Sequence, residues 1–182
     1  MKVPARTLET AALLRVRGDA RVASVVSEAA RGGALWAVLS GGLALAGGRY
    51  RRAAVDGLAG WAIGEVAAAG LKRVVDRRRP VLTGRGLAPT TSSMPSSHTA
   101  GAVAYAVAAG AAAPVVVAPL VATAGTVAWS RLAARRHFPS DVAVAVVVGA
   151  VAGGVVIAVA RKVRGGRNAA EQHEKRTPDY VP

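Results

Sequence analysis

Residues 130–160 read SRLAARRHFPSDVAVAVVVGAVAGGVVIAVA, and two kinds of sequence meet there. From Val142 to Ala160 no residue is charged, a run long enough for a helix to cross a hydrocarbon layer. Ahead of it stand Arg131, Arg135, Arg136, His137 and Asp141, with Pro139 placed to open the apolar helix. Titratable groups at the edge of an apolar span are costly unless something uses them. The fold therefore reads as a membrane bundle, and the polar stretch as its working part.

Composition agrees with that reading. Of 182 residues 52% are hydrophobic, yet only 4% are aromatic and 21 are glycine. Ala, Gly and Val replace the large side chains of a soluble core, and small residues let membrane helices pack closely. An alanine-rich soluble bundle is the alternative, and the lengths of the apolar runs argue against it. The net charge of +14, from 24 Lys and Arg against 10 Asp and Glu, calls for an anionic partner. Basic residues flank apolar spans with no aromatic stacking platform or recognition motif between them, which favours anionic lipid and disfavours nucleic acid. There is no cysteine, hence no disulfide framework and no thiolate metal site.

Taken in order, the chain predicts an all-α polytopic membrane bundle of about five transmembrane helices. Residues 1–32 read as an amphipathic helix lying on the bilayer surface, with Leu8, Ala11, Ala12 and Val16 at helical spacing and charges throughout. The membrane domain covers 33–160, with crossings expected at 33–47, 53–71, 98–113, 115–130 and 140–160. In the second crossing Gly57, Gly60 and Gly64 point to close backbone contact, within the bundle or with a second copy of the chain. Glu65, in the same crossing, reads as a structural carboxylate facing neighbouring helices or a cavity. Residues 72–97, with Pro80, Pro89 and Pro95, form a loop, and 161–182 read as a basic, disordered tail.

Odd and even crossings run in opposite directions, so Lys72, Arg79, His98, Arg131, His137 and Asp141 all fall at one membrane face. A phosphoryl group in transfer carries negative charge on three equatorial oxygens and needs fixed cations and donors. Lys72, Arg79 and Arg131 can supply the charge, and Ser96 a hydroxyl. The amides of Ser97 and His98, at a helix start, can point at an anion. His137 can attack phosphorus through one ring nitrogen if the other donates to Asp141, and His98 can protonate the leaving oxygen and then activate water. Ser130 reads as the end of a span, while Arg73, Arg77, Arg78, Arg135 and Arg136 read as charges facing lipid headgroups.

Three motifs stand in order: Lys72, six residues, Arg79-Pro80; Pro95-Ser96-Ser97-His98; and Ser130-Arg131, five residues, His137, three residues, Asp141. Together they resemble the phosphatidic acid phosphatase type 2 (PAP2) superfamily of membrane lipid phosphatases. Ser97 stands where the family usually has glycine. The resemblance implies hydrolysis of a phosphate monoester or diphosphate on a lipid or polyprenyl substrate, with phosphohistidine at His137, Asp141 orienting it and His98 as acid. It implies no cofactor and no metal, and residence in a bacterial plasma membrane. Phosphatidic acid, phosphatidylglycerol phosphate, a polyprenyl diphosphate and a polyprenyl-phosphoryl sugar phosphate all fit as substrates.

Two other readings share the pattern: a catalytically inactive lipid-binding membrane protein, and a vanadate-dependent haloperoxidase. The larger share of Lys and Arg on the site face favours a cytoplasmic site, whereas family precedent implies an extracytoplasmic one.

Overall fold

The computed structural model describes residues 5–80 and 91–176, and every regular element among them is helical. Seven α-helices follow in order: α1 Ala5–Arg15, α2 Ala20–Ala29, α3 Ala34–Leu45, α4 Gly48–Val74, α5 Ser97–Ala112, α6 Val117–Ala133 and α7 Pro139–Arg176. Helices α4, α6 with the turn before it, and α7 are long and apolar enough to cross a membrane. A fourth candidate is the bent pair α2–α3, broken by 56°. That bend is made at Gly32 and Gly33, whose φ values of 67° and 85° lie in the left-handed region glycine tolerates. The segment expected to cross at 98–113 is α5, which has only 16 residues and stands in the middle of the bundle.

Most of α5 is buried, against α4 on one side and α7 on another, with α6 also in contact. Its neighbours reach it through glycine. A Cβ on Gly60 would sit 2.5 Å from the Ala104 carbonyl oxygen, and one on Gly149 2.5 Å from that of Ala100. The glycines of the second crossing therefore serve contact within the chain, on α5. Around this seam the core is mostly alanine, with Trp36 and Tyr105 as its large fully buried side chains, ring centroids 4.9 Å apart. Ser40 ties α3 into the bundle, 2.8 Å from the Tyr105 hydroxyl and 3.3 Å from the Ala54 carbonyl oxygen that accepts from it.

Two segments differ from expectation. The N-terminal region forms two helices rather than one, because Gly18 packs on Trp129 and Asp19 caps α2 by accepting from the amides of Arg21 and Val22. Beyond Arg161, where disorder is expected, α7 runs on to Arg176. Ala, Arg, Lys, Glu and Gln dominate this stretch and are strong helix formers, and no proline intervenes before Pro178. Pro89 and residues 177–182 lie outside the described part.

The seam makes a direct prediction. Gly60→Ala and Gly149→Ala should each cost about 1–3 kcal/mol, because the added methyl meets a backbone carbonyl that cannot move aside. Gly154, on α7 with open space around it, should accept alanine without loss. Thermal unfolding of the three variants in detergent separates the cases; equal melting shifts would contradict the packing.

Candidate active site

The twelve residues from Ser130 to Asp141 are a helix end, a bend and a helix start. At the end of α6 the Arg136 amide donates to the Arg131 carbonyl (3.1 Å) and the Arg135 amide to that of Leu132 (2.9 Å). This pair of bonds is a Schellman closure, with Arg135 at the left-handed position (φ 55°) that glycine usually takes. The Arg135 guanidinium is held by the carbonyls of Leu13 and Val16 at the end of α1. At the start of α7 the Asp141 carboxylate reaches back three residues to accept from the Phe138 amide (2.8 Å), one half of a capping box. The spacing of Arg131, His137 and Asp141 is thus the spacing of two helix caps joined back to back.

His137 lies between those caps and is 2% exposed. Its Nδ1 is 2.7 Å from the Ser93 carbonyl oxygen and 3.7 Å from Asp141 Oδ2. A carbonyl only accepts, so Nδ1 carries the proton and Nε2 presents a lone pair, 3.3 Å from Arg79 Nη1. Ser93, and not Asp141 as expected, makes the short bond to the ring. Burial pushes the His137 pKa down to about 4; Asp141 opposes that shift, and the Arg131 and Arg79 charges add to it.

Asp141 is fully buried, and its other oxygen accepts from Arg77 Nη1 at 2.8 Å. Arg77 also donates to Ser140 Oγ (2.6 Å) and to Glu9 of α1, and lies 4.9 Å over the Phe138 ring. The expectation that Arg77 faces headgroups is therefore corrected, as is that for Arg135. Their carboxylate and carbonyl partners come from the N-terminal segment and the start of α7, distant in sequence, and spacing gives no sign of them.

The other site residues gather around this centre. Lys72, in the last turn of α4, donates to Ser97 Oγ at 3.3 Å. Glu65, seven residues earlier on the same helix, lies within electrostatic range of Ser97, Lys72 and Arg131. It therefore faces the site, not merely the bundle interior. Arg79 spans the loop, donating to the carbonyls of Thr91, Ser92 and Arg136. Ser96 precedes α5 and is fully buried; its amide donates to the Asp141 carbonyl (3.2 Å) and its oxygen accepts from Thr99 Oγ1 (3.0 Å). Ser130 closes α6, donating to the Val127 carbonyl at 2.7 Å.

Two buried nitrogens in this region have no partner among the described residues: Arg131 Nε and His98 Nε2. Arg131 is 5% exposed, and one of its terminal nitrogens donates to Ser27 of α2. His98 lies within electrostatic range of Arg131, His137 and Lys72. Buried donors without partners are costly and suit a site that a ligand completes. With Lys72 and Arg79 beside them and the first amides of α5 below, that ligand would be an anion with several oxygens. Among the described residues no group of three or more histidine or acidic side chains is arranged to hold a metal ion.

Among curated protein sequences none matches this chain. In fold it is similar to the transmembrane PAP2-type phosphatidylglycerolphosphate phosphatase from Bacillus subtilis, with a TM-score of 0.64 and 17% identity over 86% of this chain and 84% of that one. It is also similar to Aquifex aeolicus LpxE, with a TM-score of 0.63 and 20% identity over 80% of this chain and 90% of that one. The PAP2 superfamily model matches residues 53–164, which include all three motifs and every candidate site residue. This chain belongs to the PAP2 superfamily and is a membrane-embedded phosphatase of that superfamily.

Proposed function

We propose that the chain hydrolyses the phosphate monoester or diphosphate of a lipid or polyprenyl substrate in a bacterial plasma membrane, through a phosphohistidine at His137. The observation that carries this reading is the Ser93 carbonyl on Nδ1, which leaves the Nε2 lone pair turned toward the Arg79 guanidinium. A phosphate entering there takes over Arg79 and brings its phosphorus to Nε2. Nε2 attacks, the bond from phosphorus to the lipid oxygen breaks, and His98, entering the step as an imidazolium stabilised by the bound phosphate charge, gives that oxygen a proton. Water then attacks the phosphohistidine, His98 takes its proton, the P–N bond breaks, and inorganic phosphate leaves. Lys72, Arg79, Arg131 and the amides of Ser97 and His98 hold the equatorial oxygens throughout.

A lipid substrate is supported by the surface beside the site. An apolar groove of about 630 Å³ lies between α5, α6 and α7, lined by Val103, Val107, Val121, Ala128 and Val146 among others. Ala128 is one helical turn from Arg131, so a tail in the groove leaves its head beside the cations. The name of one similar structure, a transmembrane PAP2-type phosphatidylglycerolphosphate phosphatase, agrees with that class.

The test is phosphate release by purified protein from several lipid phosphates and polyprenyl diphosphates, with EDTA present. His137→Ala should lose at least about a thousandfold in turnover while melting like the parent. His98→Gln should leave an acid-labile phosphoryl group on His137. Turnover retained in His137→Ala, or abolished by EDTA and restored by magnesium, would sink the mechanism.

The pH dependence follows from the buried ring. An ordinary histidine is half protonated at pH 6.5, but His137 keeps its lone pair down to about pH 4. Its nucleophile should therefore survive between pH 6.5 and 5, with no loss of kcat attributable to it. Stability has the opposite exposure to acid. The contribution of the neutral buried ring is complete above pH 6.5 and is lost as pH falls toward 4, because the unfolded chain takes up the proton first. Melting temperature in detergent should fall across that window, and His137→Gln should flatten the slope.

A further inference from the structure

The end of the bundle remote from the catalytic groups carries a second basic feature. A cleft of about 1040 Å³ opens between the first half of α4 and the last third of α7. Four guanidinium groups line it, from Arg51, Arg52, Arg164 and Arg167, against the two carboxylates of Asp56 and Glu171. Arg164 donates to Asp56 at 3.3 Å and so ties the two walls together. Apart from Asn168, the rest of the cleft is lined by aliphatic residues and glycine, with Val55, Ile63, Val156 and Val159 along it.

Helix geometry sets the distance from the active site. Arg51 and Lys72 are on one helix, and 1.5 Å per residue separates them by roughly 30 Å. Asp141 and Arg164, on α7, are separated by roughly 35 Å by the same rule. Both values are about one hydrocarbon thickness, so the arginines stand at the opposite membrane surface from His137. An apolar trough beginning at that surface and leading toward the bilayer interior is chemically divided in the way a phospholipid is divided. Guanidinium forks match phosphate oxygens, and the aliphatic wall matches acyl chains. A soluble anion would leave the wall uncovered.

We propose that this cleft binds an anionic glycerophospholipid of the leaflet opposite the catalytic face, its phosphate among Arg51, Arg52 and Arg167 and its chains along Val55, Val156 and Val159. The bound lipid covers the trough and bridges α4 to α7. Arg164 stays on Asp56. The site is separate from the phosphatase reaction and does not depend on it.

Native mass spectrometry of the full chain in non-ionic detergent tests this, with dioleoylphosphatidylglycerol titrated against dioleoylphosphatidylcholine. The parent should retain the anionic lipid at least about tenfold more tightly. The variant Arg51→Gln/Arg52→Gln/Arg167→Gln should bind the two lipids alike, with phosphate release from a soluble monoester unchanged. Val159 is exposed, so Val159→Trp should fill the trough without disturbing the core, and should weaken anionic-lipid binding with the arginines intact. Anionic lipid retained by the triple variant would place the lipid elsewhere and overturn the proposal. So would binding untouched by Val159→Trp, displacement by millimolar inorganic phosphate, or a dimer that the arginine substitutions dissolve.

Discussion

The closeness of α5 to its neighbours is the constraint on which the rest of the molecule depends. Gly60 of α4 and Gly149 of α7 meet the carbonyls of Ala104 and Ala100, so three helix axes are drawn together along one seam. Water drives no apolar association inside a bilayer, and close backbone packing is what remains to hold helices in register. Register decides the site, because its residues sit at helix ends. Lys72 is in the last turn of α4, Ser97 and His98 open α5, and Asp141 is in the first turn of α7. A slip of one turn on any of the three would move a phosphate ligand by roughly 5 Å.

The same ends explain how so many cations coexist in an apolar bundle. Most of them are tied to the chain. Arg77 spans Asp141 and Glu9, Arg135 ends α1, and Arg79 holds three loop carbonyls. The N-terminal helices are therefore part of the site's support, since Glu9, Leu13, Val16 and Ser27 all accept from its arginines. Arg131 Nε and His98 Nε2 stand apart, buried and without partners among the described residues. Fixing the surrounding groups and leaving these two open concentrates the cost of desolvation on the two positions where the proposed phosphate would offset it.

Much of this was legible in the sequence, and what was not has a physical reason. Apolar run lengths mark most of the helices, and the Arg131–His137–Asp141 spacing marks the polar junction of α6 and α7, because those distances are set by local helix caps. Arg77 was misread as a surface charge because its partners Glu9 and Asp141 lie far off in the chain, and no local pattern reports a distant carboxylate. The break in the N-terminal helix depends on Trp129 lying against Gly18, again a long-range contact. Glu65 reads as structural from the sequence because its polar neighbour Ser97 comes from another helix. That serine replaces the family's glycine, and its hydroxyl accepts from Lys72. Past Arg161 the error was of another kind: charge density suggested disorder, while the residues carrying the charge are good helix formers.

Asp141 shows how far local structure and chemistry are the same arrangement here. One of its oxygens is occupied by the Phe138 amide and the other by Arg77, and His137 Nδ1 stands 3.7 Å away, beyond a good hydrogen bond. The carboxylate therefore acts on the imidazole by charge and by position, while the Ser93 carbonyl holds the proton. Its bond to Phe138 starts α7, and the start of α7 holds His137 in its buried position. Removing that carboxylate would loosen the helix start, free Arg77 from its buried partner and let the ring turn, three effects from one side chain. An asparagine there would keep an acceptor for Phe138 while giving up the charge. The two substitutions would thus separate the cap from the electrostatics, the two roles this structure assigns to one residue.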